Sequence, residues 1–155
     1  MEADALRTPG RHGLTPNRTR GRGSSARTLL WQWLPVVLWA GLIFAFSTRP
    51  NLRFVGADNL DFLVRKAGHM FAFGVLAVLL WRALTSAAVK RALVWSWVLT
   101  AAYAATDEFH QSFTQGRHAS IVDVGIDAAG AAIALCLLVA WLALRRRSHR
   151  SAPAG

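Results

Sequence analysis

The sequence predicts an all-α integral membrane protein with four transmembrane helices and with both termini in the cytoplasm. Three observations lead to this fold class. Hydrophobic residues make up 54% of the 155 residues, which is more than soluble globular domains usually contain. They gather in four long runs that hold few charges. The charge of +10 comes largely from basic residues that flank these runs.

The first apolar run covers residues 29–46 and contains one strongly polar residue, Gln32. A helix of this length extends about 27 Å, which is enough to cross the hydrocarbon. Pro35 predicts a kink or a change of direction in this helix. Residues 1–28 are rich in Arg, Gly, Thr and Pro, and we expect them to form a disordered basic tail in the cytoplasm.

The second and third apolar runs cover residues 67–84 and 92–106. A polar segment, residues 48–62, separates the first run from the second and is expected to be a loop with at most one short helix. The fourth run, residues 128–144, carries no charge, and its helix is expected to start earlier, near Ala119. We therefore predict a four-helix membrane domain over residues 29–144.

The distribution of basic residues predicts the orientation of this domain, because Lys and Arg are in excess on the cytoplasmic side of membranes. With four spans, thirteen basic residues fall on the side of the termini and five on the other side. The larger group contains the basic tail of residues 145–155. Both tails therefore point to a membrane topology, and we predict no nucleic-acid partner, since neither tail lies beside a nucleic-acid-binding fold.

Ionisable residues are concentrated at the predicted extracytoplasmic ends of the helices. One group starts the second span, and another lies between the third and fourth spans. Each such group is costly inside a bilayer, about 3 kcal/mol at its centre, and needs a partner or a wet cavity. Their helical spacing turns them toward a common site. The candidate binding residues are Lys66, His69, Asp107, Glu108, Gln111, Arg117, Asp123 and Asp127.

Two segments carry a resemblance to a known family. They read KAGHMFAF, from Lys66, and DEFHQSFTQGRHASIVDVGIDAAG, from Asp107. Both resemble the signature regions of the VanZ-like family, which is associated with glycopeptide (teicoplanin) resistance in bacteria. FSTRP, from Phe46, is similar to the segment after the family's first span. The chain departs from the family pattern at Phe73, where Tyr is frequent, and at Asp127, where Asn is frequent.

The resemblance implies a multi-pass protein of the bacterial cytoplasmic membrane that belongs to the cell envelope. From it we expect lower glycopeptide susceptibility, with the polar residues binding a membrane lipid headgroup or a lipid-linked envelope precursor. No glycine-rich phosphate loop or soluble domain is visible, and we predict no cofactor. No helical His pair of the zinc-protease kind occurs in the spans, and we predict no metal.

Two other readings of the polar residues stay open. In the first, the protein is a membrane enzyme in which His69 or Glu108 is the acid or base, while Lys66 and Arg117 hold a phosphate. In the second, the polar residues form a structural latch that locks four helices together. The sequence does not decide whether a reaction is catalysed.

Overall fold

The computed structural model describes residues 26–47, 58–113 and 120–150, and the regular structure in these ranges is entirely helical. The helices are α1 Ala26–Ser47, α2 Asp58–Ser86, α3 Ala92–Gln111 and α4 Ile121–Arg150. They confirm the all-helical prediction and its four helices. The first 25 residues of the expected tail, and the candidate residue Arg117, lie outside the described residues.

Two helices extend beyond the apolar runs that predict them. α2 begins at Asp58 instead of near residue 67, and α4 continues through the basic residues to Arg150. Apolar runs mark only the part of a helix that suits hydrocarbon, whereas Arg and Lys are also good helix formers. α1 continues through Pro35 as one helix.

The helices alternate in direction. Gln111 at the end of α3 donates to Ser47 at the end of α1. Near the other end of these helices, Arg82 of α2 donates to the Gln32 carbonyl of α1 at 3.4 Å. One end of the bundle, which we call the polar end, thus gathers the ends of α1 and α3 with the starts of α2 and α4. Which side of a membrane it faces stays a prediction from the basic-residue count.

α2 lies at the centre of the bundle and packs against each of the other three helices. Phe73 and Leu76 on α2 are almost completely buried. Among the described helices, α1 packs against α2 and α3 but not against α4. The core is therefore organised around α2, and residues placed on it can reach every other helix.

Small residues allow α2 and α4 to approach closely. A methyl group added at Gly130 would lie 2.5 Å from the Met70 carbonyl oxygen and 2.7 Å from the Met70 Cα. One added at Gly74 would lie 3.1 Å from the Ala134 side chain. Such contacts between small residues are typical of membrane helices, whose backbones meet where side chains are absent.

Aromatic donors join neighbouring helices through backbone carbonyls. Trp39 of α1 donates to Ala72 of α2 at 2.8 Å, and Tyr103 of α3 donates to Ala40 of α1 at 2.7 Å. Trp97 of α3 donates to Ala128 of α4 at 3.0 Å. Since a polar group facing hydrocarbon needs an internal partner, these bonds both satisfy the donors and fix the helix pairs.

The turn between α2 and α3 is a tight helix cap. The amide of Val89 donates to Leu84, and the amide of Ala88 donates to Thr85, which is the pattern of a Schellman motif. Ala88 takes a left-handed conformation with φ 55°. Arg91, which precedes α3, is also left-handed, with φ 58°.

Three of the described helices contain segments that are long and apolar enough to cross a membrane: Leu29–Ser47, Leu63–Ser86 and Ile121–Ser148. Large hydrophobic side chains on them face outward, for example Trp31 and Leu137. The protein is therefore a multi-pass membrane protein. α3 is not in this group, because its last turns carry Asp107 and Glu108, and the crossing of the membrane by α3 stays a prediction.

Candidate ligand site at the polar end

Side chains from all four helices meet at the polar end of the bundle. Two ion pairs and several hydrogen bonds connect them. We call this group the polar cluster; its described members are Ser47, Lys66, His69, Asp107, Glu108, Gln111, Asp123 and Asp127. Seven of the eight candidate residues predicted from the sequence are therefore brought together. Their role in binding a ligand stays a prediction.

The first connection is an ion pair between Lys66 of α2 and Asp123 of α4. Asp123 lies in the first turn of α4, where a negative charge favourably meets the positive end of the helix dipole. Both side chains remain partly exposed, at 24% and 32%. A ligand arriving from outside the bundle could therefore reach either charge.

A second pair links the same two helices one turn deeper. His69 Nδ1 lies 3.5 Å from Asp127 Oδ2. The imidazole stacks on Phe73, with ring centroids 6.1 Å apart, and stays about one-third exposed, whereas the carboxylate is buried. The carboxylate orients a His that is still accessible, which is an arrangement suited to proton transfer or to ligand contact.

Asp107 lies at the centre of the cluster and is 97% buried, with 3% of its surface exposed. Gln111 Nε2, one turn later on α3, donates to Asp107 Oδ2 at 3.0 Å and to Ser47 Oγ at 2.6 Å. The other carboxylate oxygen, Asp107 Oδ1, is buried without a hydrogen-bond partner among the described residues. Buried oxygens of this kind are rare because losing water without replacement is costly.

Glu108 connects α3 with α4. Its Oε1 accepts a hydrogen bond from the backbone amide of Ser120 at 2.8 Å. The Ser120 carbonyl in turn accepts from the amides of Asp123 and Val124, which start α4. The buried Glu108 carboxylate thus satisfies one of the amides that every helix start leaves without an intrahelical partner.

The cluster carries more negative than positive charge among the described residues. Asp123, Lys66 and Asp127 all lie close enough to Glu108 to interact with it electrostatically, and His69 and Asp127 likewise interact with Asp107. Four carboxylates thus share the site with one described lysine and one histidine.

An apolar groove begins directly beside the cluster. It runs between α2 and α4, and its cavity measures about 490 Å³. Met70, next to His69, and Gly130, one turn after Asp127, form its upper wall, and Leu137 lies at its lower part. Polar cluster and groove together form one amphipathic surface.

Sequence reasoning missed two members of this network. Ser47 accepts from Gln111, and Ser120 carries the amide bound by Glu108. Ser47 lies in FSTRP and Ser120 in the longer signature segment, so the family resemblance offered a signal for both. His110 lies apart from the network, with its ring 4.4 Å from the ring of Phe44.

The described side chains of the polar cluster do not surround a common position that could hold a metal ion. Within residues 26–47, 58–113 and 120–150, no three His, Cys, Asp or Glu side chains are grouped as ligands for a metal ion. Glu108 and Asp123 are instead engaged with an amide and an ammonium group.

Comparison with known proteins identifies the family. The sequence matches the VanZ/LLP1 family model over residues 14–143. This protein belongs to the VanZ/LLP1 family. The match covers α1 to α3, most of α4 and every candidate residue, so the VanZ/LLP1 assignment extends to both the bundle and its polar end. Neither the curated proteins nor the solved structures that were compared gave a match.

Proposed function

We propose that this VanZ/LLP1 protein binds the headgroup of a membrane lipid, or of a lipid-linked envelope precursor, at the polar cluster. The proposal includes a bacterial host, an extracytoplasmic position for the cluster and, as the cellular result, lower susceptibility to glycopeptides such as teicoplanin. The observation that carries it is the buried Asp107 Oδ1, which has no partner in the described part of the chain. A donor on a ligand would satisfy it.

The surroundings of Asp107 support an amphiphilic ligand. Lys66, His69 and Asp123 are accessible charged or polar groups at the mouth of the site. The groove beside Met70 and Gly130 offers an apolar path of about 490 Å³ for a hydrocarbon chain. A headgroup at the cluster and a chain along the groove would follow the polar and apolar layers of one leaflet.

Glu108 offers a sharp test of binding against a purely structural latch. Glu108→Gln keeps an oxygen that can accept from the Ser120 amide but removes the charge. If the cluster is a site, the protein should accumulate normally while glycopeptide resistance is lost. Glu108→Ala also removes the helix cap, so protein levels should fall as well, by a stability loss of about 1 kcal/mol or more.

The same measurement extends to the neighbouring residues. Asp107→Asn and His69→Gln should preserve membrane levels and lose the phenotype. His110→Gln is the matched control, since His110 lies outside the cluster. Immunoblots of membranes are read beside teicoplanin susceptibility. Loss of protein in parallel with loss of resistance in every cluster variant would reject the binding proposal and favour the latch.

A second candidate function is catalysis on the same lipid. It is favoured by the His69–Asp127 pair, in which a buried carboxylate orients an exposed imidazole, as in many acid–base sites. Incubation of the reconstituted protein with an envelope lipid extract would reveal a product by mass spectrometry. A product that forms with the natural sequence and not with His69→Gln would establish the enzyme, and an unchanged extract would leave a binding protein.

A further inference from the structure

Large apolar side chains lie on the outside of the polar end, around the charged groups that face inward. Each of the four helices contributes at least one that is more than half exposed. Exposed apolar groups gathered in this way mark a contact with a membrane or with another protein. We call them the apolar rim; its members are Phe46, Leu63, Phe109, Phe113, Ile121 and Val122.

The limits of the apolar spans show the level of this rim. The span of α1 ends at Ser47, that of α2 begins at Leu63, and that of α4 begins at Ile121. Gln111, at the end of α3, donates to Ser47 and so lies at the same level. The rim therefore follows the edge of the segments that are apolar enough to cross a membrane.

The deeper residues of the polar cluster lie inside these limits. His69 and Asp127 each come six residues after the start of their spans, which corresponds to about 9 Å along a helix axis. The hydrocarbon of a bilayer is about 30 Å thick, so one leaflet provides about 15 Å. Spans that begin at the edge of the hydrocarbon thus put this pair well within one leaflet.

The outward face of α3 satisfies its polar groups without water. The hydroxyl groups of Thr106 and Ser112 each donate to the backbone carbonyl three residues earlier, at 2.7 and 2.6 Å. Asp107 and Glu108, between them in the sequence, are buried in the bundle. Hydrocarbon offers no hydrogen-bond partner, so a helix that faces lipid needs internal bonds of this kind.

We propose that the apolar rim contacts the hydrocarbon of the membrane, so that α3 crosses with the other helices and the polar cluster lies inside the bilayer. Lipid is the occupant because the rim continues the outward apolar surfaces of the spans in α1, α2 and α4. This position does not depend on whether the cluster binds a ligand. For the proposed function, it means that a ligand reaches Asp107 from the bilayer and not from water.

Spin labels on the full-length protein in liposomes test the proposal. Cys136→Ser removes the only cysteine, and Leu63→Cys, Phe109→Cys or Val122→Cys then places one label on the rim. Molecular oxygen concentrates in hydrocarbon, whereas a water-soluble nickel chelate is excluded from it. The relaxation of each rim label should therefore respond severalfold more to oxygen than to the chelate.

Two further labels provide the references. Leu137→Cys lies on the outward face of the α4 span and reports hydrocarbon. Ala87→Cys follows the α2 span at the opposite end of the bundle, which carries Arg82, Arg91 and Arg146 and which we call the basic end, and it reports water. Rim labels that respond like Ala87→Cys would overturn the proposal. Rim labels shielded from both reagents would reveal a protein contact, such as a second copy of the chain, and would also overturn it.

A charge substitution gives a second result that needs no label. Phe109→Lys puts an ammonium group into the hydrocarbon, so the amount of protein in membranes should fall severalfold. Phe109→Leu is the matched control and should leave the amount unchanged, as should Ala87→Lys at the basic end. Equal amounts of Phe109→Lys and Phe109→Leu would place the rim in water and overturn the proposal. Glycopeptide susceptibility is not read in either experiment, so such a failure is distinct from a failure of the proposed function.

Discussion

At the scale of single residues, sequence spacing predicts which helix face a side chain lies on, but it does not predict which residue becomes its partner. The ion pair of Lys66 and Asp123 illustrates this difference. Lys66 and His69 are three residues apart, a spacing that places them on one face of a helix. Both residues do contact the same neighbouring helix, α4. Which acid each one meets depends on the register between α2 and α4. That register is set where Gly130 of α4 meets the Met70 backbone of α2, and the spacing within either helix alone does not reveal it.

Removal of one partner from this ion pair should destabilise the protein. We expect Lys66→Met to cost roughly 1–2 kcal/mol, between the values for exposed and for buried pairs, because Asp123 keeps a partly buried charge. Thermal unfolding in detergent measures the effect. The double variant with Asp123→Asn should recover part of the loss, and strictly additive losses would show that the two charges do not interact.

At the scale of the helices, the α2–α4 contact depends on the absence of a side chain. A Cβ at position 130 would lie within 3.0 Å of three Met70 backbone atoms, which cannot move aside as a flexible side chain could. We expect Gly130→Ala to destabilise the bundle by about 1–3 kcal/mol, as overpacking usually does. The melting temperature in detergent and the amount of protein in membranes report this loss.

Gly125→Ala is the control on the same helix. Nothing lies within 4 Å of a Cβ at that position, and Ala is the better helix former, so stability should be unchanged or up to about 1 kcal/mol higher. Equal destabilisation at both positions would contradict the close-contact explanation.

The cap of α2 offers a stabilising substitution. Ala88 occupies the left-handed position of the Schellman motif, which costs a residue with a Cβ about 1 kcal/mol and costs Gly almost nothing. Ala88→Gly should therefore raise the melting temperature. Ala87→Gly, one residue earlier and without a positive φ, should lower it or leave it unchanged. A lower melting temperature for Ala88→Gly would show that the turn takes another conformation.

Helix existence was easier to predict than helix limits. The four apolar runs locate α1 to α4, since hydrocarbon selects for uninterrupted apolar helices. They do not locate the first nine residues of α2 or the last six of α4, because polar residues form helices equally well outside hydrocarbon. α3, in contrast, is a helix that contains no segment as apolar as those of the other three. Its two carboxylates lower its apolar character, yet tertiary contacts bury both.

At the scale of the whole molecule, the alternating helices place both described chain ends at the basic end. The excess of Lys and Arg there predicts that this end faces the cytoplasm. A reporter fused after Gly155 should read as cytoplasmic, and one inserted in residues 50–60 should read as extracytoplasmic. The two reporters give independent results on opposite ends of the bundle.

An extracytoplasmic reading at Gly155 would contradict this orientation. It would also move the polar cluster to the cytoplasmic face and remove it from envelope lipids of the outer leaflet. The position of the cluster within the bundle would be unaffected, since it depends on contacts between helices.

The segregation of acids at one end and bases at the other also has an electrical consequence. The bundle carries a permanent dipole along its axis, with the positive pole at the helix ends that hold Arg82 and Arg146. A living membrane with a negative interior attracts that pole, and moving one elementary charge across 100 mV requires about 2.3 kcal/mol. Inverting the protein would mean carrying several charges against this voltage. In the predicted orientation, with the basic end in the cytoplasm, the membrane potential therefore opposes inversion of the protein.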